Sequence, residues 1–231
     1  MIFNTFIGKR GFTLLEVVIA LATASIIFAV LFGSIRTLLF STEVIKNRNP
    51  SPKAAQICLS RIVQDLRTIY IQHPPLFTLP SAREGAPDPY RIAGDQINVA
   101  GTQFPRLRFT STSHLMMGEA SRRGVAEIVY YVQQFDEDGF ALHRSDTLYP
   151  YPESIEPKRT DPILCAPLQS FTLTYFDGEG DTYSQWDSES EDLGFASPRA
   201  IEITMALGQD KSTAEVFQTR VQLPMWRAEK K

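Results

Sequence analysis

Lys9-Arg10-Gly11-Phe12-Thr13-Leu14-Leu15-Glu16 is the stretch on which the reading of this chain turns, and apolar sequence from Val17 to Phe40 continues it. Glu16 is the only charged residue between Arg10 and Arg36. At about 1.5 Å per residue, the roughly 20 residues that cross a bilayer fit between Phe12 and Ile35. No proline interrupts the run, and no glycine follows Gly11 before Gly33. Ile35, Leu38, Leu39 and Phe40 extend the pattern, so the spacing predicts one helix to about Asn47. Asn49-Pro50-Ser51-Pro52 then reads as a break or kink.

Three readings compete for this segment. A secretory signal has a basic start, a core of about 7–15 apolar residues and a small-residue cleavage site. Ala22-Thr23-Ala24 offers such a site behind a Phe12-to-Leu21 core. Against it, Glu16 lies inside that core and apolar sequence resumes at Ile26-Ile27-Phe28. A plain signal anchor leaves the carboxylate unexplained, although a buried charge costs about 2.5–3.5 kcal/mol on insertion scales. The third reading supplies a partner. Cleavage after Gly11 exposes the α-amine of Phe12, a cation for the carboxylate of Glu16 when helices pack side by side. Lys9 and Arg10 stay on the cytoplasmic side by the positive-inside tendency, a bias that Arg36, Lys46 and Arg48 weaken.

Gly11-Phe12-Thr13-Leu14-Leu15-Glu16-Val17-Val18 resembles the class III signal of type IV pilins and type II secretion pseudopilins. The resemblance implies cleavage between Gly11 and Phe12 by a prepilin peptidase and N-methylation of Phe12 by the same enzyme. It also implies that Glu16 pairs with a subunit N-terminus during assembly.

The 231 residues carry 23 basic and 26 acidic groups, a net charge of −3, which gives no electrostatic footprint for nucleic acid. Loss of residues 1–11 removes two basic groups and no acid, taking the charge to −5. Two cysteines, Cys58 and Cys165, are too few for a disulfide scaffold. They form one candidate bridge if the globular part is extracytoplasmic; otherwise Cys58 is a small apolar residue on a helix face and Cys165 fills a strand edge.

Lys53 to about Gln72 has helical periodicity. Ala55, Cys58, Leu59, Ile62, Leu66 and Ile69 form an apolar stripe, while Gln56, Ser60, Arg61, Gln64, Asp65, Arg67 and Thr68 read as the polar face. His73-Pro74-Pro75 marks the end of the helix. Leu76 to Asp95 reads as a long loop with little structure. Period-two alternation follows: Leu107 and Phe109; Ile128, Tyr130 and Val132; Phe140 and Leu142 after the turn Asp136-Glu137-Asp138-Gly139. Phe171, Leu173 and Tyr175, then Ile201, Ile203, Met205 and Leu207, then Phe217, Val221 and Leu223 continue the series. The connections 149–162 and 178–198 are long, which makes them candidates for partner contact.

Leu107-Arg108-Phe109-Thr110, Val129-Tyr130-Tyr131-Val132, Gly139-Phe140-Ala141-Leu142-His143-Arg144, the Leu168-to-Gly178 run, Trp186 and Pro198-Arg199-Ala200-Ile201-Glu202-Ile203 look like the J-type minor pseudopilin of type II secretion. That resemblance implies a structural role and no catalysis. J-type subunits sit with I- and K-type minor pseudopilins at the tip of a short pseudopilus built of a major pseudopilin, and help push folded proteins through an outer-membrane channel. K-type subunits typically lack the glutamate, so Glu16 argues against that class.

The expected fold is α+β and pilin-like: a long N-terminal spine helix packed on an antiparallel β-rich globular domain. Residues 1–11 are the expected leader and 12–36 the transmembrane and assembly half of the spine. Residues 37–72 are the periplasmic half, broken near 49–52, and 73–231 the β-rich periplasmic domain. The expected location is the inner membrane, single-pass, with the C-terminal domain in the periplasm. Expected partners are the I- and K-type subunits, the major pseudopilin and the prepilin peptidase, with no nucleic acid and no cofactor. Two other functions compete: a minor type IV pilin of an adhesion, motility or DNA-uptake pilus, which the signal fits equally and only the β-domain motifs disfavour, and a membrane-tethered periplasmic enzyme or binding module, which predicts an intact N-terminus or cleavage near Ala24.

Few residues suggest chemistry. Seven acids and no base fall between Asp177 and Asp192, and Asp177, Glu179 and Asp181 alternate with glycines as candidate Ca²⁺ ligands. The EF-hand spacing and its closing glutamate are missing, and acidic runs on loops are commonly just solvated; related pseudopilins of other classes do bind calcium. His73, His114 and His143 lack zinc-site spacing. Ser111 and Ser113 beside His114 read as strand or loop polar groups, and Arg122-Arg123 before Gly124 as a turn. No nucleophile elbow, phosphate loop or dinucleotide fingerprint occurs.

Overall fold

The computed structural model describes residues 14–25, 27–28, 52–83, 87–115, 124–135, 139–151, 158, 161–210 and 212–228. The chain divides into two compact units, Met1–Arg48 and Asn49–Lys231. In the first unit, the described residues 14–25 and 27–28 are helical and are called α1.

The second unit begins with α2 (Pro52–Arg67) and continues through nine strands: β1 (Ala93–Val99), β2 (Thr102–Ser111), β3 (Ala126–Gln134), β4 (Phe140–Leu148), β5 (Ile163–Phe176), β6 (Thr182–Tyr183), β7 (Trp186–Asp187), β8 (Ala200–Leu207) and β9 (Glu215–Gln222). All pair antiparallel in one sheet of order β7-β1-β2-β3-β4-β5-β8-β9, with β6 beside β5. After β5 the chain swings to the far edge, where Trp186 and Asp187 pair with Gly94 and Ala93 of β1, and then returns to β8. The sheet therefore curls toward itself as a half-barrel.

The apolar stripe of α2 decides where the core sits. Ala55, Cys58, Ile62 and Leu66 are buried against inward residues of the sheet, among them Leu107, Phe109, Ile128, Leu142, Phe171, Ile203 and Met205. Helix α2 packs on β5 and β9. Strand β3 is buried on both faces: Ile128, Tyr130 and Val132 belong to the main apolar cluster, and the alternating Glu127, Val129 and Tyr131 are buried too.

The described structure corrects the expected fold class. It is a mostly antiparallel β half-barrel, α-helical among the described residues only at 14–25, 27–28 and Pro52–Arg67, and no long spine helix packed on the domain is present among them. Helix α2 stops at Arg67, short of the expected Gln72, because strand β2 captures the backbone that follows. Tyr70 N–H donates to Thr110 O at 2.8 Å, Thr110 Oγ1 donates to Tyr70 O at 2.7 Å, and Thr112 N–H donates to Thr68 O at 3.0 Å. These bonds offer the chain a sheet-like alternative to another helical turn, and the β-branched Ile69 and Ile71 accept it readily.

The expected single-pass location in the inner membrane is corrected as well. Among the described residues no helix is long and apolar enough to cross a membrane. The rest of the apolar stretch, 29–47, lies outside the described residues.

The 76–95 segment is more structured than its composition suggests. It contains a 3-10 turn at Pro80–Arg83 and the start of β1, with Ile92 buried. The 178–198 connection likewise holds β6 and β7. The Asp136–Asp138 turn lies outside the described residues, but Phe135 N–H donates to Gly139 O at 2.8 Å across its base.

Candidate functional site

Gly11 and Phe12 lie outside the described residues. Glu16 lies in α1 with its side chain exposed. Around it Leu14, Leu15, Val17, Val18, Ile19 and Leu21 are all exposed. Thr23 Oγ1 donates to Ile19 O at 3.0 Å and to Ala20 O at 2.9 Å, and Ser25 Oγ donates to Leu21 O at 2.8 Å. The hydroxyls of α1 are thus turned back onto their own helix, which keeps its outer surface apolar.

The second unit holds a different constellation, which the sequence pattern did not reveal. Asp65, assigned to the polar face of its helix, is fully buried together with Arg144 of β4. Asp65 Oδ2 accepts from Arg144 Nε at 2.7 Å and from Tyr130 Oη at 2.6 Å, while Arg61 Nη2 lies 2.7 Å from Oδ1. Ser113 Oγ also donates to Oδ1. Arg144 Nη1 donates to Asp146 Oδ2 at 2.6 Å, and His114 Nδ1 lies 2.5 Å from Asp146 Oδ1. Burial opposes the charge on Arg144, but the carboxylates of Asp65 and Asp146 outweigh it and raise its pKa. Burial and the Asp65 charge push the Tyr130 phenol well above its ordinary value. Asp146 is lowered: burial opposes the shift, and the Leu115 N–H, His114 and Arg144 overcome it.

This network clamps α2 to β3, β4 and the 111–115 segment. Its chemistry is fixation of charge, since donor faces acceptor at every contact named. The spacing did carry one hint. Positions 55, 58, 62, 65 and 69 alternate by three and four, which puts Asp65 in the middle of the buried stripe.

The other sequence candidates have ordinary surroundings. Ser111 Oγ donates to Asp65 O at 3.0 Å, and Ser113 and His114 each bond a carboxylate; no Ser–His hydrogen bond forms among the described residues. His73 Nε2 is 2.9 Å from Trp226 O, and His143 stacks on Tyr131 with ring centroids 5.5 Å apart. Asp177 Oδ1 accepts from the backbone N–H of Glu179, Gly180 and Asp181 at 2.8–2.9 Å, and its Oδ2 accepts from Tyr183 Oη at 3.2 Å. Burial opposes the charge on Asp177, and these donors together overcome it and lower its pKa. Gly180, at φ 98°, supplies the left-handed residue the turn requires. No group of three or more His, Cys, Asp or Glu among the described residues could hold a metal ion. Arg122-Arg123 lies outside the described residues. Cys58 and Cys165 are brought together, sulfur to sulfur at 2.7 Å.

Arg227 was not singled out in the sequence, yet it organises the loops at one end of the sheet. Nε donates to Phe195 O at 2.7 Å, Nη2 to Ser188 O at 2.8 Å and Nη1 to Gln72 O at 3.3 Å, and the guanidinium lies 3.5 Å from the centroid of the Phe77 ring. Asp88 is its ion-pair partner at 3.5 Å.

No protein-family model matches the chain, and no curated protein matches it. Among solved structures the chain is similar to a type IV-like pilin from Thermus thermophilus, with 8% sequence identity, a TM-score of 0.43, and coverage of 77% of this chain and 97% of that chain.

Proposed function

We propose that this chain is a structural subunit of pilin type, and within that class a J-type minor pseudopilin of type II secretion. The observation that carries the proposal is Glu16, one exposed carboxylate on the apolar surface of α1, five residues beyond Gly11. Cleavage after Gly11 makes Glu16 the fifth residue of the processed chain and places an α-amine one helical turn before it, at Phe12. A neighbouring subunit then presents its N-terminal cation to this carboxylate, and apolar helix surfaces close around the pair, strengthening it by exclusion of water. The role is assembly. The clamp around Asp65 and Arg144 supports it by holding α2 rigidly to the sheet.

The test is mass spectrometry of the chain produced together with a prepilin peptidase. A product beginning at N-methyl-Phe12 supports the pilin-type reading, and a chain beginning at Met1 or Ser25 overturns it. Co-purification of the processed chain with I- and K-type minor pseudopilins supports the J-type assignment. Association with pilus subunits in their place assigns the chain to a type IV pilus.

A further inference from the structure

Cys58 lies on the buried face of α2 between Ala55 and Ile62, and Cys165 lies in β5 opposite Leu142 of β4. They are the only two cysteines of the chain. Their sulfurs are 2.7 Å apart, inside the van der Waals contact of two sulfur atoms. Less than about 1 Å of closure separates this contact from a bond of roughly 2.05 Å. Both side chains are buried within the main apolar cluster, so helix packing alone delivers the two thiols to one point.

We infer that Cys58 and Cys165 are joined by a disulfide that staples α2 to β5, formed during folding by exchange with a disulfide-bearing oxidant. One cysteine thiolate attacks the oxidant's disulfide and gives a mixed disulfide, releasing one of its sulfurs as thiolate. The second cysteine thiolate then attacks the protein sulfur of that mixed disulfide and expels the other oxidant sulfur. The two cysteines lose two protons and two electrons; the oxidant's disulfide takes up both electrons and two protons and ends as two thiols.

Burial sets the timing. In the docked state the neighbouring Cys165 and the apolar surroundings push the Cys58 thiol far up, so the attacking thiolate is scarce. Both thiols are also buried in the docked state, so the oxidant meets the first of them before α2 settles on the sheet, and docking then brings the second to the mixed disulfide. The bridge spans 107 positions in sequence, and closing so long a loop withdraws more freedom from the unfolded chain than a short one does. The staple is independent of the Gly11–Phe12 processing event, because neither cysteine lies in Met1–Arg48.

The full chain, folded in a mixture of oxidised and reduced glutathione, is denatured and treated with a maleimide before and after reduction. The expected result is no adduct before reduction, two adducts after it, and one non-reduced peptide pair containing Cys58 and Cys165. Two adducts without reductant overturn the inference. As a second readout, reductant lowers the melting temperature of the wild type and leaves that of the Cys58→Ser, Cys165→Ser double variant unchanged. Equal melting of the wild type with and without reductant also overturns it.

Discussion

Gly94 of β1 faces the phenol of Tyr175 of β5 so closely that a Cβ on Gly94 would stand 1.8 Å from Tyr175 Oη and 2.3 Å from Cζ. The two strands are not neighbours in the sheet; the contact exists because β7 ties the β1 edge back toward the β5–β6 hairpin. Tyr175 is fully buried beside Trp186, with ring centroids 6.3 Å apart, so its ring has little room to retreat.

Gly94→Ala therefore overpacks the closure of the half-barrel. The expected cost is about 1–3 kcal/mol, the usual range for an added group in a filled core. Thermal or denaturant unfolding measures it, and a variant as stable as wild type disproves the steric account.

Tyr175→Phe tests the same contact from the other side. Tyr175 Oη is buried without a hydrogen-bond partner among the described residues, and burial pushes its pKa up. Removing an unmatched hydroxyl is expected to be neutral or stabilising by up to about 1 kcal/mol. It should also relieve part of the Gly94→Ala penalty, which a double-mutant cycle reads directly.

Asp65→Asn removes the negative charge opposite a buried Arg144. Breaking one side of a buried pair costs about 3–5 kcal/mol, so a large loss of stability is expected, measured as a fall in the denaturant midpoint. Arg144→Met alone should be comparably damaging, and the two changes together less than their sum.

Asp146 gives this network a pH dependence. Its folded pKa is depressed, so its contribution is fully present above the unfolded carboxylate value and disappears as pH falls through the folded one. Wild type should lose stability on acidification below the ordinary aspartate range, and Asp146→Asn should lose less over the same interval. Parallel stability–pH curves for the two proteins would contradict this.

Glu16→Ala should leave cleavage after Gly11 intact and reduce incorporation into assemblies by tenfold or more, a loss of about 1.4 kcal/mol or greater between subunits. Intact-mass analysis reads the first effect and co-purification the second. Normal incorporation would remove the proposed role of the carboxylate.

The strands with regular alternation were legible because one face meets the core: Ile201, Ile203 and Met205 of β8 are fully buried while Glu202 and Thr204 are half-exposed. Strand β1 escaped notice because Gly94, Asp95 and Asn98 carry little strand preference, and its place is set by partners on β2 and β7. Strand β7 is two residues long, held by its ladder with β1 and by Trp186 Nε1, which donates to Ala196 O at 3.1 Å. Asp65 and Arg144 lie 79 positions apart, so no local pattern could join them. Glu16 was legible for the opposite reason. A solitary charge in apolar sequence announces itself without any tertiary context.

The pairing of β7 with β1 also governs the order of events as the chain is made. Gly94 waits for Trp186 before the β1 edge is covered, and every strand between them is synthesised meanwhile. At about 5–20 residues per second that interval lasts on the order of 5–20 s, during which β1 presents open backbone groups. A chain truncated between β5 and β7 keeps only the β1-to-β5 part of the sheet, with the β1 and β5 rims both open. The two-residue strand at the far edge closes the β1 rim, and β8 and β9, made after it, close the other.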